Sequence, residues 1–398
     1  MKISKKNSPF TEFLSFDKPI INYIIMHWFG GIFLIYTVLL PIFMNKLGID
    51  ISNAGLIIGL SSLFDIIFTF ILSKFIDKVS PNKGICIDWI TESIPPIIYG
   101  LSSTTFGFLL GTISSSITNI LNPVYKIYES KIFPQENMQK IYTYHLVTPE
   151  LFTILLYPLI GYLLTYKFPS ILTFRIIFIC CGIGFLFVTI FAHKNLKKIN
   201  PSTIKTSSMK FKIPKELFTG TLASILININ FSLLSTSFTI YYMLSVLKFS
   251  IFEIMIIEVI YSIASLATGF YTKNLTSKFK NEKIVQFGLI FFLAFSFLLT
   301  FGKSYMVIII AYILKSIGNT IWFPSHYSIL MKYIPSEISG KFFTKLSSLT
   351  KLLNIIVPII AGFLAQLFGF FVPFGISIIL LIILYFIYRS LLHSISNK

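Results

Sequence analysis

The feature that most constrains this 398-residue chain is the length of its apolar runs, such as 19–45 and 370–388. A helix needs about 20 consecutive apolar residues to cross the hydrocarbon core of a bilayer, and these runs are close to that length or beyond it. Only 12% of the residues are charged, whereas about a quarter are charged in a typical soluble domain. The chain is therefore predicted to be embedded in a membrane.

The sequence contains twelve such apolar segments, each of which is predicted to form a transmembrane helix. Helix is favoured over a β-barrel because barrel strands alternate apolar and polar residues, and a run such as 379–384 does not alternate. The first segment is longer than the apolar core of a signal peptide, so it is predicted to be a retained span. The segments are 19–45, 52–75, 84–100, 103–130, 140–166, 169–193, 216–246, 250–272, 283–301, 304–331, 341–367 and 370–392.

The distribution of lysine between the loops predicts the orientation of the chain. Loops at one end of the predicted bundle are rich in lysine, whereas the opposite loops carry only Lys46, Lys167, Lys248 and Lys303. Since cytoplasmic loops are enriched in basic residues, both termini are predicted to lie in the cytoplasm and the protein to lie in the cell membrane. The same rule explains the net charge of +18, so the lipid bilayer, and not a nucleic acid, is the predicted partner.

Two halves related by an internal repeat are predicted. The basic stretch 194–215 lies between segments six and seven, and it is predicted to be a cytoplasmic linker between a bundle over 1–193 and a bundle over 216–398. A shift of 200 aligns 47–51 with 247–251, and a shift of 201 aligns Pro123 with Pro324 and Gly161 with Gly362. Parallel repeats of this kind place a transport site between two halves.

The turn between segments two and three resembles the signature of the major facilitator superfamily, Gly-x-Leu-x-Asp-Arg-x-Gly-Arg-Arg. Asp77 and Lys78 match its acidic and basic positions, and Lys83 supplies a later basic residue, while Ser73 and Ser80 replace the two glycines. In that family this turn helps to latch the closed state. The resemblance therefore implies a gating role for Asp77, Lys78 and Lys83.

Further motifs extend the resemblance over nearly the whole chain. Pro123 and Pro324 are each followed by the basic, Pro and Glu positions that the family shows before its fifth and eleventh helices, and Pro158 with Gly161 resembles its antiporter motif. The resemblance implies an all-α fold of twelve transmembrane helices in two pseudo-symmetric six-helix bundles. It also implies a monomeric secondary transporter that works by alternating access. Export of a drug or metabolite is favoured, and uptake of a sugar or an organic anion is the alternative.

Ionisable residues near the middle of apolar segments are the first candidates for the binding of substrate or protons. Such residues are costly in a bilayer, so they face a cavity or pair with one another. The two strongest candidates are Glu150, which would carry a proton, and Lys315, which would hold an anionic group of the substrate. Asp65, Glu258 and His27 are further candidates. An ion pair between helices is the structural alternative for each.

Polar residues on segment four form a second group. Asn119, Asn122 and Tyr125 are candidates for hydrogen bonds to a polar substrate, although such residues also join helices. The remaining ionisable residues are given other interpretations. Lys126 and Glu129 are interpreted as a local pair or as partners for Lys78, and His145 is placed at the interface. Asp88 is expected to contact loop lysines, and Glu92 has no assigned role.

Other classes of function lack their signatures. The sequence shows no pair of acids or histidines at catalytic spacing, no phosphate-binding glycine loop and no soluble output domain, so a membrane enzyme or a sensor is disfavoured. Cys86, Cys180 and Cys181 have no disulfide or metal spacing. The chain is predicted to use no metal or cofactor, to draw on an ion gradient, most simply of protons, and to move a small molecule.

Overall fold

The computed structural model describes residues 13–76, 79–134, 138–199, 218–333 and 336–396, and these residues fold into helices without a strand. The helices of the first half are α1 (Lys18–Phe33 and Ile35–Lys46), α2 (Ile51–Ile76), α3 (Pro81–Leu101), α4 (Thr105–Thr118 and Asn122–Ile132), α5 (Met138–Tyr162) and α6 (Ile171–Asn195). The helices of the second half are α7 (Phe218–Leu233 and Thr236–Ser245), α8 (Ile251–Lys278), α9 (Asn281–Phe301), α10 (Tyr305–Tyr333), α11 (Ser336–Phe368) and α12 (Phe371–Ser396).

The predicted all-α fold of twelve membrane helices in two six-helix halves is confirmed. Most of the predicted linker, together with Asp77 and Lys78, lies outside the described residues.

Three of these helices are interrupted, and the sequence explains where. A 3₁₀ turn at Asn119–Leu121 precedes Pro123 in α4, because proline lacks the N–H that a helix interior requires. Helix α1 is interrupted at Leu34, and α7 restarts at Ser235, whose hydroxyl accepts from the Phe238 N–H. Interrupted helices place backbone polar groups inside the membrane, which transporters use to line a cavity.

The outer surface is suited to lipid. Large apolar side chains point outward along the bundle, including Phe70, Leu155 and Leu367, which are each at least 70% exposed. In the described part of the chain, nine helices are long and apolar enough to cross a bilayer, and Thr105–Thr118 is a shorter apolar helix. Helices α3 and α5 fall short of this test, and they carry Asp88, Glu92, His145 and Glu150, whose positions are described below.

The two halves contact each other at the end of the bundle opposite the chain termini, which we call the closed end. Helix α2 meets α11 there, and a methyl group built on Gly55 would lie 2.5 Å from the Pro358 carbonyl oxygen. Helix α5 meets α8 in the same way, with Gly161 against Met255. Three hydrogen bonds join the halves at this end, Asn45 Nδ2 to Ser245 Oγ, Tyr241 Oη to the Ile49 carbonyl, and the Phe252 N–H to Thr165 Oγ1.

The backbone at the closed end repeats with the predicted shift of 200 residues. Gly48 and Lys248, which follow α1 and α7, both adopt left-handed conformations, with φ of 78° and 59°. Asp50 and Ser250 then cap α2 and α8: the Asp50 carboxylate accepts from the Asn53 N–H at 2.7 Å, and Ser250 exchanges hydrogen bonds with Glu253. Equivalent turns and caps therefore start the second helix of each half.

Candidate functional site

The first half contains a polar cavity of about 430 Å³, which we call the N-half cavity. It lies between α1, α3, α4 and α5, in the part of the bundle nearer the chain termini. Its lining is dominated by titratable and aromatic side chains, with three carboxylates, two histidines and one lysine. The lining residues are Tyr23, His27, Leu34, Asp88, Trp89, Glu92, Thr118, Asn122, Tyr125, Lys126, Glu129 and His145.

Each carboxylate of the N-half cavity accepts a hydrogen bond from a tyrosine. The Tyr125 hydroxyl donates to Asp88 Oδ2 at 2.5 Å and the Tyr36 hydroxyl donates to Glu92 Oε1 at 2.7 Å. The third pair is Tyr23 and Glu129, with a distance of 2.8 Å. Glu129 also forms an ion pair with Lys126 at 3.0 Å. These donors hold the carboxylates in place at the cavity wall.

Two histidines from different helices meet in the same cavity. The rings of His27 on α1 and His145 on α5 lie 4.3 Å apart at a steep angle. Tyr23 contacts both rings, and Tyr125 lies 5.4 Å from His27. The buried Nε2 of His27 makes no hydrogen bond within the described structure. The described residues do not include a group of His, Cys, Asp and Glu side chains arranged to hold a metal ion.

The second half contains a cavity of about 290 Å³ between α7, α10 and α11, which we call the C-half cavity. Its walls are largely aromatic and carry no carboxylate or lysine among the described residues. Phe231 stacks on Phe323 at 5.4 Å, and Trp322 stacks on His326 at 4.4 Å. The lining residues are Ser224, Ile227, Asn228, Phe231, Trp322, Phe323, His326, Tyr327, Leu346, Ser347 and Thr350.

The two cavities occupy equivalent places in the two repeats but differ in chemistry. On α4 and α5, four lining residues are related by the shift of 201 to lining residues of α10 and α11, and the pairs are Asn122 with Phe323, Tyr125 with His326, Lys126 with Tyr327, and His145 with Leu346. Within these pairs the charged lysine of the first half is replaced by a tyrosine and one histidine by a leucine. The carboxylates and the lysine among the lining residues therefore belong to the N-half cavity, whereas the C-half cavity is lined by aromatic, aliphatic and uncharged polar side chains.

A charged cluster lies where α5 of the first half meets α8 and α10 of the second. It consists of Glu150, Glu258 and Lys315, with Glu258 in electrostatic contact with both of the others. The Lys315 ammonium lies over the rings of Tyr312, Phe295 and Tyr261 at 4.9, 5.4 and 5.7 Å, which stabilise a cation. The buried Oε1 of Glu258 makes no hydrogen bond in the described structure. Two acids and one base thus share a largely apolar site between the halves.

The structure brings most of the predicted site residues into these three places. Glu150, Glu258 and Lys315 form the charged cluster, while His27, Asn122 and Tyr125 line the N-half cavity. Asp65 is half-buried on α2 and lines neither cavity. Lys83 is exposed in the first turn of α3. The side chain of Asn119 lies outside the described residues, as do Asp77 and Lys78.

One interpretation of the sequence is wrong. Among the described residues Asp88 does not pair with a loop lysine: it lines the N-half cavity and accepts from Tyr125. His145 stacks against Tyr23 inside the same cavity, and its position at the membrane interface stays a prediction. In both cases, depth along a helix does not reveal the face that the residue occupies. The spacing of Asp88 and Glu92, one helical turn apart, is the available signal for a shared inward face.

Twelve membrane helices in two halves, a cavity in each half and a charged cluster between them define a polytopic helical membrane transporter. The sequence profile of the Major Facilitator Superfamily matches residues 21–219 and 220–394. This chain therefore belongs to the Major Facilitator Superfamily. An uncharacterised MFS-type transporter of Schizosaccharomyces pombe is 26% identical over 125 residues, which are 31% of this chain and 28% of that protein.

Solved transporters share the fold at low sequence identity. A bacterial homologue of the human lysosomal transporter Spinster, in an inward-facing and occupied conformation, has a TM-score of 0.72 and 11% identity over 96% of this chain and 97% of its own. The nucleoside transporter NupG has a TM-score of 0.72 and 11% identity over 94% of this chain and 99% of its own. At these identities the likeness extends to the fold alone.

Proposed function

We propose that this protein is a proton-coupled secondary transporter that moves a small solute across the cell membrane by alternating access. The observation that carries the proposal is the cluster of Glu150, Glu258 and Lys315 between the halves. Its net charge changes with each proton that it binds. Because α5 belongs to one half and α8 and α10 to the other, that change acts directly on the packing of the halves.

The energetics of a buried charge support this coupling. An unbalanced charge in the middle of a membrane costs at least about 2.5–3.5 kcal/mol. With one carboxylate protonated, the remaining acid balances Lys315. With both ionised, the cluster carries an excess negative charge, which favours an arrangement of the halves that admits water or a cation. Protonation is therefore the input that shifts the equilibrium between the two conformations.

The closed end and the loop charges together support an inward-open state. Four of the six loops at the closed end contain a single lysine each, at positions 46, 167, 248 and 303, and the other two contain none. The positive-inside rule therefore assigns this end to the outside. The cavities then open toward the cytoplasm, and both termini lie there. Gly161 of the antiporter-like motif packs on Met255 across the interface. This contact lies where the halves separate, which supports export as the direction.

The test is proton flux in proteoliposomes that contain the purified protein and an internal pH-sensitive dye. Pools of sugars, amino acids, organic acids and aromatic amines are added under a poised pH gradient. We expect one pool to collapse the gradient, Glu150→Gln and Glu258→Gln to abolish this collapse, and both variants to retain exchange of the labelled solute. The exposed variant Asp17→Asn serves as a control for loss of one negative charge. Proton-coupled transport that persists in both glutamine variants would contradict the assignment.

A further inference from the structure

Asp88 and Glu92 are two acids that have no cationic partner among the described residues. They lie one turn apart on α3 and line the N-half cavity, and their hydrogen-bond donors are the hydroxyls of Tyr125 and Tyr36. The lysine of the cavity, Lys126, has a largely exposed side chain and is paired with Glu129. In the described part of the chain, neither Asp88 nor Glu92 forms an ion pair.

A membrane cavity that holds two such carboxylates attracts positive charge. Buried charges are paired in proteins because the penalty for removing them from water is several kcal/mol for each ion. The aromatic side chains around the acids are suited to the same task, since the faces of Trp and Tyr attract an ammonium group. Trp89 and Tyr125 provide such rings in the N-half cavity.

Unpartnered polar atoms in both cavities point to a ligand independently of the acids. Trp89 is 6% exposed, and its indole N–H has no acceptor in the described structure. In the C-half cavity the same holds for the indole N–H of Trp322, which is 1% exposed, and the buried Oδ1 of Asn228 has no donor. Buried polar groups are rarely left without partners, so these atoms are available to a bound solute.

The repeat relation places the two cavities at equivalent positions of the two halves. Tyr125 and His326 occupy equivalent positions on α4 and α10, and each lines the cavity of its own half. In transporters built from two repeats, the substrate site lies at the interface between the repeats. A solute held there would meet carboxylates of the first half and stacked aromatic rings of the second.

We propose that the transported solute is an aromatic organic cation, whose positively charged nitrogen binds between Asp88 and Glu92 and whose ring packs against Phe231, Trp322 and Phe323. The assignment rests on the proposed transport function, since it names the substrate class of the same pathway. A sugar would use the aromatic walls and the carboxylates as hydrogen-bond acceptors, but it would leave the negative charge of Asp88 and Glu92 unbalanced. An organic anion would be repelled by both.

Equilibrium binding tests this assignment without a gradient, so its result is independent of proton coupling. Titration calorimetry on the full-length protein in nanodiscs would compare (naphthylmethyl)trimethylammonium with tetramethylammonium, naphthylmethanol and glucose. We expect the aromatic cation to bind most tightly. Asp88→Asn and Glu92→Gln should each weaken it by about tenfold or more, whereas Asp17→Asn should leave its affinity unchanged. Phe323→Leu should weaken the aromatic cation but not tetramethylammonium.

The outcomes separate the proposal from its alternatives. Melting temperatures and gel-filtration profiles of the variants show whether each one is folded, and Phe323→Leu supplies a test that keeps both acids in place. Equal binding of the cation by wild type, Asp88→Asn and Glu92→Gln would overturn the proposal. Tighter binding of glucose or naphthylmethanol than of the aromatic cation would overturn it as well. If the cation binds as expected but no proton flux follows, the coupling role of Glu150 and Glu258 fails while the substrate class stands.

Discussion

Asn45 and Ser245 lie 200 residues apart, at equivalent positions of the two repeats, and they contact each other with Asn45 Nδ2 3.4 Å from Ser245 Oγ. Equivalent residues meet each other where they lie close to the axis that relates the repeats. The closed end is therefore centred on that axis, in line with the path that a solute takes between the halves. Opening this end requires the contact to break.

The glycine contacts of the closed end predict a variant that favours its opening. A methyl group on Gly55 would lie 2.5 Å from the Pro358 carbonyl oxygen and 3.1 Å from the Gly362 Cα. Gly55→Leu should therefore force α2 and α11 apart, and overpacking of this kind costs about 1–3 kcal/mol. Spin labels at positions 167 and 303, in a background without the native cysteines, should report a longer distance across the closed end.

Gly375 provides the matched control, because a side chain there meets no atom within 4 Å. Gly375→Leu should leave the distance between the labels unchanged. An unchanged distance in Gly55→Leu would show that the closed end tolerates the side chain in its present arrangement.

The left-handed backbone conformation of Lys248 predicts that glycine at this position stabilises the fold. Its φ of 59° is left-handed, as is the φ of 78° at the equivalent residue Gly48. A residue with a side chain pays about 1–2 kcal/mol for this conformation, whereas glycine adopts it freely. Lys248→Gly should raise the melting temperature in detergent, and Gly48→Ala should lower it. A lower melting temperature for Lys248→Gly would mean that the lysine side chain makes a compensating contact.

The charged cluster predicts coupling between Glu258 and Lys315. The two side chains attract each other electrostatically, with Glu258 on α8 and Lys315 on α10. Glu258→Gln and Lys315→Met should each destabilise the protein, and the double variant should lose less than the sum, with a coupling energy of about 0.5–3 kcal/mol. Unfolding of all four proteins in the same detergent measures this cycle. Additive losses would place the two side chains in separate environments.

The helix cap formed by Asp50 should contribute a constant amount to the stability of the fold near neutral pH. Burial raises the pKa of this carboxyl, but hydrogen bonds from the backbone and side chain of Asn53 and from Ser52 outweigh it, so the pKa lies below its ordinary value. A carboxyl with a lowered pKa stabilises the fold above its unfolded-state pKa of about 4 and loses that contribution as the pH falls further.

Asp50→Ala should therefore cost about 1 kcal/mol, equally at pH 6 and pH 8, when unfolding is followed by temperature. Asp50→Asn is the matched control, since asparagine caps a helix as well as aspartate does. A loss in Asp50→Ala that differs between pH 6 and pH 8 would contradict the account.

Apolar runs predict the spans because each helix must satisfy its own backbone hydrogen bonds in lipid, and nine helices in the described part of the chain reach the hydropathy and length that a span requires. Helices α3 and α5 and the shorter apolar part of α4 do not, and the repeat supports their assignment. The repeat is also readable, since Pro123 and Pro324 mark the same place in two copies of one fold. The prediction of depth is useful as well: Glu150, Glu258 and Lys315 are mid-membrane residues by position in the sequence, and the structure brings them together.

The faces of the helices and the contacts between halves cannot be predicted from one sequence. Depth alone does not define the roles of Asp88 and His145, because these roles depend on which neighbours the side chains meet, Tyr125 for one and His27 for the other. Likewise, nothing in the local sequence of α5 indicates that Glu150 lies beside α8. The difference in lining between the charged N-half cavity and the aromatic C-half cavity becomes visible only when equivalent residues are compared in three dimensions.

Cross-linking of Asn45→Cys to Ser245→Cys, in a background without the native cysteines, tests alternating access most directly. Oxidation should join the two residues across the closed end and stop exchange of the aromatic cation in proteoliposomes, and a reductant should restore it. The same treatment should not affect either single-cysteine variant. Full exchange by the cross-linked protein would show that the closed end does not open during transport, and it would contradict the account.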